Sequence, residues 1–492
     1  MRTRPDEHGD ATGEQRRERW GWVLVLLLTA VLGASWLPLS APFGNDHDGR
    51  NLVLNAMQVE QVRERGLVAT DFGSSLAPYV ERETYAHHPP AMKLLYLPAS
   101  FLPMALETST RLVSYATGLL VVPGLALLLR RLRVGWAGVL VALAALSAVP
   151  LWWAYGRLHG PLGLTVVLAA VVADLRERDE PSGWHLAGAG ALAAFVVASN
   201  WFGLAAAALL GLWLLAGRRR VDRTVLVLGA CMAVSAVLTL LWVVGLSGPD
   251  DIGTSIGTRA TDTGIAAGAW AQRMVRWFDE LVPLWFRLLA ALSLVGGLVR
   301  PRLRAPYVAG WLLAVGWVAG LPGGSYVHDY WILPVVLPVA IGLAGTVDLV
   351  LARTDLRLRV GVAALATAVG CAGVVALDRG QFGEEYERAP RDMALAAAQV
   401  EPPPGQDNGW HVRIPGLVTV AWAWGIPAEP LDAATLAATG PDAPGDDELV
   451  VVRLDRPPFF LPDDAALAGR LAARAGDYGV VTVGALRELA AQ

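Results

Sequence analysis

The chain has 492 residues, of which 54% are hydrophobic and only 17% are charged, and its mean hydropathy is +0.44. This composition excludes a disordered or collagen-like chain and argues against a water-soluble globular protein. The net charge of −4 gives no support for nucleic-acid binding, and both cysteines, Cys231 and Cys371, stand in apolar runs, which excludes a disulfide framework. The sequence therefore predicts a polytopic membrane protein.

Eleven apolar runs predict transmembrane helices, since about 17–25 residues cross the hydrocarbon core of a bilayer. They lie near residues 20–39, 108–129, 135–153, 161–175, 184–199, 202–217, 224–246, 284–299, 307–321, 331–350 and 360–377. The runs on either side of Asn200 are predicted as two helices. One continuous helix would place the arginines near 176–178 and those near 218–220 on opposite sides of the membrane.

The basic residues predict the orientation. With residues 1–19 in the cytoplasm, the short inner segments carry twenty arginines, whereas the longer outer segments carry nine basic residues. The positive-inside rule then predicts a transmembrane domain over 20–377 and an extracytoplasmic C-terminal domain over 378–492, in a protein of the cell membrane. The first run is too long for a cleaved signal peptide, and Trp36-Leu37-Pro38 is a poor cleavage site.

Two outer loops, 41–107 and 247–283, are unusually large. In the first, residues 51–65 combine an apolar and a charged face, as an interfacial helix does, and a second helix over 92–106 is interrupted by Pro98 and Pro103. The second loop starts rich in glycine and ends in an amphipathic stretch over 270–277.

The tail is predicted to form a small soluble α/β domain. Residues 448–454 have the composition of a strand, and residues 464–475 and 483–491 are predicted helices.

The first polar group follows the first span directly, in the order Asp46-His47-Asp48-Gly49-Arg50. Aspartate is a favoured N-cap, so one interpretation is a solvated turn that caps a helix beginning near Arg50. The other is a carboxylate at the membrane edge that acts as a general base, which requires a hydroxyl to deprotonate and an anionic leaving group nearby.

The second group is His87-His88-Pro89-Pro90, followed by Lys93, the only lysine of the chain. The prolines predict an extended turn that presents the histidines, with Lys93 about one turn into the next helix. Lys93 either snorkels to lipid headgroups from a structural turn or binds a lipid phosphate together with the imidazoles. Metal ligation by His87 and His88 is less favoured, because adjacent histidines rarely chelate one ion.

The third group, His328-Asp329-Tyr330, stands at the outer start of the tenth run. An aromatic belt explains Tyr330 and its aromatic neighbours, but it does not explain His328 and Asp329 beside a pair of glycines. Arg157 and His159, between the third and fourth runs, form a weaker fourth group.

Taken in order, these segments resemble the GT-C superfamily of membrane glycosyltransferases, in particular the family 39 or ArnT-like branch of protein O-mannosyltransferases and aminoarabinose transferases. The matching pieces are His47-Asp48-Gly49-Arg50-Asn51, the glycine-bounded segment 66–73, the His-Pro-Pro segment with Lys93 in the place of the family's lysine, and His328-Asp329-Tyr330-Trp331-Ile332-Leu333-Pro334. The first motif departs from the commoner Asp-Glu pair, so the choice between Asp46 and Asp48 as the base stays open.

The resemblance implies an all-α GT-C fold and inverting transfer of a hexosyl or pentosyl group from a polyprenyl-phosphate donor, catalysed by a carboxylate of the first outer loop. The expected base is Asp48, with Asp46 as its alternative. The residues expected to bind the donor phosphate or the substrate are His87, His88, Lys93, Arg50, Arg157, His159, His328, Asp329 and Tyr330.

The resemblance does not specify whether the acceptor is a protein, a lipid or a glycan. No cofactor is specified either: carboxylates and imidazoles could hold a divalent cation, but no spacing here selects one. Among the alternatives, a flippase or transporter of lipid-linked sugars is disfavoured, because the apolar runs are nearly free of charge and show no internal repeat. A non-catalytic scaffold and a polymerase or ligase of lipid-linked glycans remain further alternatives.

Overall fold

The computed structural model describes residues 8–36, 47–74, 89–157, 160–260, 264–381, 399–400, 410–412, 428–431, 436–437, 443–454, 467–476 and 478–490. The chain divides into two compact units. Unit 1 comprises Met1–Leu37, His87–Met92 and Val113–Gly380, and unit 2 comprises Pro38–Ala86, Lys93–Leu112 and Gln381–Gln492.

Helices account for almost all of the described structure before residue 382. In chain order they are α1 (His8–Ser35), α2 (His47–Arg65), α3 (Ala91–Ala99), α4 (Leu106–Leu119), α5 (Val121–Arg131), α6 (Trp136–Ser147), α7 (Pro150–Tyr155), α8 (Gly160–Glu177), α9 (Gly183–Ser199), α10 (Trp201–Arg218), α11 (Arg223–Ala260), α12 (Ala267–Leu281), α13 (Leu284–Val299), α14 (Pro301–Gly320), α15 (Pro322–Val327), α16 (Val336–Val350) and α17 (Leu356–Gln381). Two 3₁₀ helices, Asp329–Val335 and Leu351–Arg353, flank α16.

The described residues of the eleven apolar runs lie mostly in helices, which confirms an all-α architecture for the membrane part of the chain. Six helical segments of the described chain are long and apolar enough to cross a bilayer, or seven if α12 and α13, which meet at a bend of 104°, are counted as one span. The total of eleven spans therefore stays a prediction.

The break between α9 and α10 is made by a single residue, Asn200. Asn200 has an extended backbone, and its side-chain oxygen accepts a 2.8 Å hydrogen bond from the Phe202 amide. This N-cap starts α10 and separates it from α9, as the sequence predicted.

The second outer segment, predicted from residue 247, is helical to Ala260, because α11 resumes beyond a break at Gly248, whose φ of +78° is accessible to glycine at little cost. Two local predictions were wrong. The helix predicted to begin near Arg50 already begins at His47, so Asp48 lies within α2 rather than before it. Residues 473–475 form a strand instead of continuing a helix.

The predicted helices of the first outer loop are confirmed. Four of the apolar residues predicted on one face of α2 are buried: Leu52, Met57, Val59 and Val62. Helix α3 contains Pro98 and ends one residue later, at Ala99, so the apolar stretch 92–106 is interrupted as predicted.

After residue 381, the described residues of unit 2 contain a mixed sheet. Its strands are β1 (Trp410–Val412), β2 (Ala428–Pro430), β3 (Leu449–Arg453), β4 (Ala473–Ala475) and β5 (Tyr478–Thr482), in the order β2-β1-β3-β5-β4. The pairs β1–β2 and β1–β3 are parallel, and β3–β5 and β4–β5 are antiparallel. Helix α18 (Val483–Ala490) adds Leu486 and Leu489 to the core of the sheet. The predicted strand near 448–454 and the last predicted helix are thus confirmed.

Ion pairs join helix ends at one end of unit 1. Arg130, at the end of α5, pairs with Glu18 of α1, and the neighbouring Arg131 lies 2.8 Å from Asp174 of α8. Asp348 of α16 accepts from Arg300, the residue before α14. The segments predicted to face the cytoplasm therefore share one end of unit 1, and the orientation of that end in a membrane stays a prediction.

Candidate active site

A hydrogen bond in unit 1 joins Asp329, of the third polar group, to a tyrosine close in sequence to the fourth. The Tyr155 hydroxyl, two residues before Arg157, donates to Oδ2 of Asp329 over 2.6 Å. The Tyr330 amide donates to Oδ1 of the same carboxylate over 2.8 Å, and the Tyr155 and Tyr330 rings lie 6.0 Å apart. Both oxygens of Asp329 are therefore engaged within the protein.

Proline positions explain why these side chains lie where they do. Pro150 is the first residue of α7, where its fixed φ and missing N–H are tolerated, so a short helix carries Tyr155 at its end. Pro334 removes a donor from the segment 329–335, which winds as a 3₁₀ helix before α16 begins. The tight helix places Asp329, Tyr330 and Trp331 in successive positions at the start of that span.

Aromatic rings surround His328. Its ring centroid lies 5.2 Å from that of Tyr330 and 6.2 Å from that of Trp331, and the second pair is stacked at 23°. Trp331 in turn contacts Trp317 of α14, at 5.1 Å between centroids. We call Tyr155, His328, Asp329, Tyr330 and Trp331 the acid–aromatic cluster.

The second large outer loop packs beside this cluster. The indole N–H of Trp270 in α12 donates a 2.8 Å hydrogen bond to Ser325 of α15, the helix that directly precedes His328. Arg273 of α12 lies over the Tyr326 ring, with Cζ 4.9 Å from its centroid. The amphipathic stretch 270–277 lies within α12, and this helix contacts the segment that precedes the third polar motif.

Arg157 is a buried cation of unit 1, with only 4% of its surface exposed. Its Nε donates to the Ala154 carbonyl over 3.2 Å, and Cζ lies 5.5 Å from the Trp153 ring centroid. Trp153 is itself tied to the end of α1, because its indole N–H donates to Ser35 over 3.1 Å. The Ala154 carbonyl and the Trp153 ring therefore hold the buried guanidinium of Arg157, a residue of the fourth polar group, in place.

Lys93 is the third residue of α3, in unit 2, and it is 5% exposed. Burial lowers the pKa of its ammonium from 10.5 to about 7, because removing a cation from water disfavours the charged form. Lys93 was predicted about one turn into the helix that follows the prolines, and it lies within the first turn of that helix. The alternative that Lys93 snorkels to lipid headgroups is wrong, because its side chain is buried within the protein.

Gly73 borders the stem of Lys93. Its φ is +78°, and a Cβ added there would lie 3.3 Å from Cδ of Lys93 and 3.1 Å from Cγ2 of Val62. The turn that places Gly73 here is held by Thr70, whose hydroxyl accepts from the Gly73 amide over 3.3 Å and donates to the Gly66 carbonyl over 2.9 Å. The glycine-bounded segment 66–73, noted in the sequence, thus packs on the lysine.

Two glutamines on the buried face of α2 escaped the sequence analysis. Gln58 and Gln61 are each 1% exposed, and residues three apart share one helix face. Within the described part of the chain, Nε2 of Gln58 and both polar atoms of the Gln61 amide have no hydrogen-bond partner. In the sequence, only their spacing among apolar residues could have indicated that they are buried, and the same spacing also fits glutamines on a solvent-exposed side of the helix.

Several predicted site residues lie outside the described residues: Asp46, His87, His88 and His159. For Asp48 and Arg50 the backbone is described as the start of α2, but their side chains are not. Tyr155 and Trp153 were missed because tyrosine and tryptophan near a span end also fit an aromatic belt. In the parts of the chain that are described, no group of three or more His, Cys, Asp or Glu side chains could hold a metal ion.

Solved structures share this fold over nearly the whole chain. ArnT from Cupriavidus metallidurans bound to undecaprenyl phosphate aligns at 16% identity and a TM-score of 0.58, covering 94% of this chain and 98% of ArnT. The apo state of ArnT aligns at 17% and 0.57, covering 97% and 99%. The apo oligosaccharyltransferase of Archaeoglobus fulgidus aligns at 12% and 0.53, covering 89% of this chain and 70% of that one.

No family model matches this sequence, and no curated protein matches it either. The structural likeness establishes the fold: the chain has an ArnT-like GT-C fold, as its sequence motifs predicted.

Proposed function

We propose that this GT-C protein transfers a sugar from a polyprenyl-phosphate donor to an acceptor hydroxyl at the extracytoplasmic face of the membrane. The observation that carries the proposal is Lys93, a buried cation in the outer-loop segment where the related motif places its lysine. A lipid-linked phosphate is a suitable ligand for this group, because its oxygens accept charge-assisted hydrogen bonds from an ammonium.

The structural neighbours support this class of donor. ArnT, which has the same fold along nearly its whole length, was solved with undecaprenyl phosphate. A membrane-embedded donor also suits an extracytoplasmic site, because nucleotide sugars are made in the cytoplasm. The sugar itself, a hexosyl or pentosyl group, is left open.

The proposed reaction is a single displacement. A carboxylate, assigned to Asp48 with Asp46 as the alternative, removes the proton from the acceptor hydroxyl as its oxygen bonds to the anomeric carbon. The bond from that carbon to the phosphate oxygen breaks, and the polyprenyl phosphate leaves with the electron pair. The configuration at the anomeric carbon is therefore inverted.

Phosphate is a good leaving group, so the reaction needs cations more than an acid. Charge grows on the phosphate oxygens as the bond breaks, and preorganised cations stabilise that charge most in a site that excludes water. Lys93 is assigned to this role, with His87, His88 and Arg50 as further contacts from the same loop. Arg157 and His159 are assigned to a phosphate contact from the turn that follows α7.

The acid–aromatic cluster is assigned to substrate contact through its rings and not through its acid. Both oxygens of Asp329 already accept hydrogen bonds, from Tyr155 and from the Tyr330 amide. We therefore assign Asp329 to positioning, and we assign His328 and Tyr330 to contacts with the sugar or its phosphate.

Gln58 and Gln61 are assigned to the sugar or acceptor. Buried amides without partners cost about 1–3 kcal/mol each, and a substrate hydroxyl can both donate to and accept from them. They stand on α2, the same helix whose second residue is Asp48.

The proposal is tested with the purified full-length protein in membranes and a panel of radiolabelled polyprenyl-phosphate sugars. We expect one donor to be consumed, with label appearing in a protein, lipid or glycan fraction and polyprenyl phosphate released. Binding of donors without consumption, in membranes supplied with envelope lipids, glycans and proteins as acceptors, would favour a flippase or scaffold and contradict the proposal.

A further inference from the structure

A cavity of about 310 Å³ opens at the arginine-rich end of unit 1, where α5, α8 and α10 end and α14 begins. Small-molecule sites occupy roughly 300–1,000 Å³, so this cavity has room for one small polar group. Helix α8 starts three residues after Arg157 and ends at the cavity, with 18 residues between its bounds. A helix of that length spans about 27 Å, so the cavity is remote from the acid–aromatic cluster.

The lining is basic and only partly neutralised. Arg131, Arg176, Arg302 and Glu177 contribute its charged groups. Arg131 already lies 2.8 Å from Asp174, and Glu177 lies 4.0 Å from Arg133, which does not line the cavity. Among the described residues, no carboxylate lies within 4.0 Å of Arg176 or Arg302, so neither guanidinium is directly paired in a salt bridge.

Buried donors in the lining also lack acceptors. The Arg176 guanidinium lies over the Trp213 ring, 4.5 Å from its centroid, and Trp213 is 6% exposed. Nε of Arg176 and Nε1 of Trp213 are both buried, and neither donates a hydrogen bond to any residue that the structure describes. Each such donor costs about 1–3 kcal/mol unless a ligand or water accepts from it.

Two backbone features fit an anion at this place. An added Cβ at Gly217 would lie 2.0 Å from Nε of Arg176, so only a residue without a side chain lets the guanidinium occupy this position. Pro301 and Arg302, the first turn of the 20-residue helix α14, also line the cavity. The N-terminal end of a helix attracts negative charge.

We propose that this cavity is a second binding site, for a phosphate ester. Guanidinium groups match the geometry of phosphate oxygens, and an acceptor-rich anion satisfies the two orphan donors. The phosphate comes either from an anionic phospholipid, whose headgroups bind basic pockets between transmembrane helices, or from a soluble phosphate ester. The site is separate from the transfer reaction and does not depend on the proposed function.

The test compares the full-length protein with Arg176→Gln and Arg302→Gln. Arg357→Gln is the matched control, because Arg357 is an exposed arginine of α17 that does not line the cavity. Trp213→Phe removes the indole N–H, one of the two orphan donors, and keeps an aromatic ring at this position. It provides a second test of the site if an arginine variant fails to fold. Native mass spectrometry measures the phosphatidylglycerol retained from mixed phosphatidylcholine bilayers, and thermal unfolding in detergent measures stabilisation by glycerol 3-phosphate.

We expect each arginine variant to reduce retention of phosphatidylglycerol about fivefold, since one arginine near an anionic headgroup contributes about 1 kcal/mol. Trp213→Phe should reduce it in the same direction, and Arg357→Gln should leave it unchanged. Stabilisation by glycerol 3-phosphate that the cavity variants lose would instead identify a soluble ester as the source. If neither ligand distinguishes the cavity variants from Arg357→Gln, the proposal is overturned.

Discussion

The Tyr155 hydroxyl donates a 2.6 Å hydrogen bond to the carboxylate of Asp329, although 174 residues separate them in sequence. The bond connects the end of α7 to the start of the tenth apolar run, and it therefore fixes the position of Asp329 relative to α7. Its strength can be measured separately from catalysis.

Tyr155→Phe should lower the free energy of unfolding by about 1–3 kcal/mol, because it removes the donor to an oxygen of a part-buried carboxylate. Combined with Asp329→Asn, it should lower stability by an amount that differs from the sum of the two single losses. We expect a coupling energy above about 0.5 kcal/mol in a double-mutant cycle measured by denaturant unfolding in detergent. Tyr326→Phe is the control, since its hydroxyl makes no hydrogen bond to the described residues. Full additivity would show that the bond does not hold the two segments together.

Lys93 should make donor binding depend on pH. Its pKa of about 7 leaves the ammonium partly deprotonated near neutral pH, and a bound phosphate favours protonation, so binding should take up a proton between about pH 7 and 9. Affinity for a polyprenyl phosphate should fall as the pH rises through this window. Calorimetry in buffers of different ionisation enthalpy measures the proton uptake.

Lys93→Arg serves as the control for that experiment, because arginine stays charged throughout the window. It should keep part of the affinity and lose the proton uptake, whereas Lys93→Met should lose both. In the absence of donor, the wild type should also become more stable as the pH rises from 7 towards 10.5, since the unfolded chain binds more protons there. A wild type with the same proton uptake as Lys93→Arg would contradict the assignment.

Gly73 and Gly66 offer a matched pair in the turn beside Lys93. Both have positive φ, but an added Cβ at Gly73 meets Val62 and Lys93, whereas at Gly66 nothing lies within 4 Å. Each alanine variant should cost about 1 kcal/mol for its backbone conformation. Only Gly73→Ala should also weaken binding of polyprenyl phosphate, because it displaces the lysine stem. If both variants bind polyprenyl phosphate equally well, the turn around Gly73 does not contribute to the donor site.

Gln61→Leu should have opposite effects on stability and activity. Removing a buried amide that lacks partners should leave the unfolding free energy unchanged or raise it, because the desolvation cost disappears. Transfer should fall through a higher KM for donor or acceptor, since a substrate hydroxyl loses its partner. A loss of more than about 1 kcal/mol in stability with an unchanged KM would show that the amide is structural.

The helices were largely predictable from sequence, because a long apolar run has few alternatives to a helix in a bilayer. The break at Asn200 was predicted from the arginines at 176–178 and 218–220, whereas hydropathy alone would have merged the two helices. Gly248 shows the opposite case: the sequence showed only a glycine-rich start of the second outer segment, and it did not show that α11 continues through this stretch with one break, at the positive φ of Gly248.

The candidate site was predictable only in part. Lys93, Arg157 and Asp329 stood out as charged residues next to apolar runs. Tyr155 did not, because its role depends on a contact between distant segments. Gln58 and Gln61 could not be predicted as site residues either, since a neutral amide is unusual only when it is buried, and the sequence did not show that burial.

The most direct test of the proposed chemistry is transfer by Asp48→Asn, measured beside wild type and Asp46→Asn with the donor that wild type consumes. Asparagine keeps the size of the side chain and removes its basicity, so we expect transfer to fall by at least about a hundredfold. Binding of polyprenyl phosphate, measured on the same preparations, should stay within about twofold of wild type. Asp48→Asn that retains transfer would contradict Asp48 as the base, and retention by both variants would contradict catalysis by a carboxylate of the first outer loop.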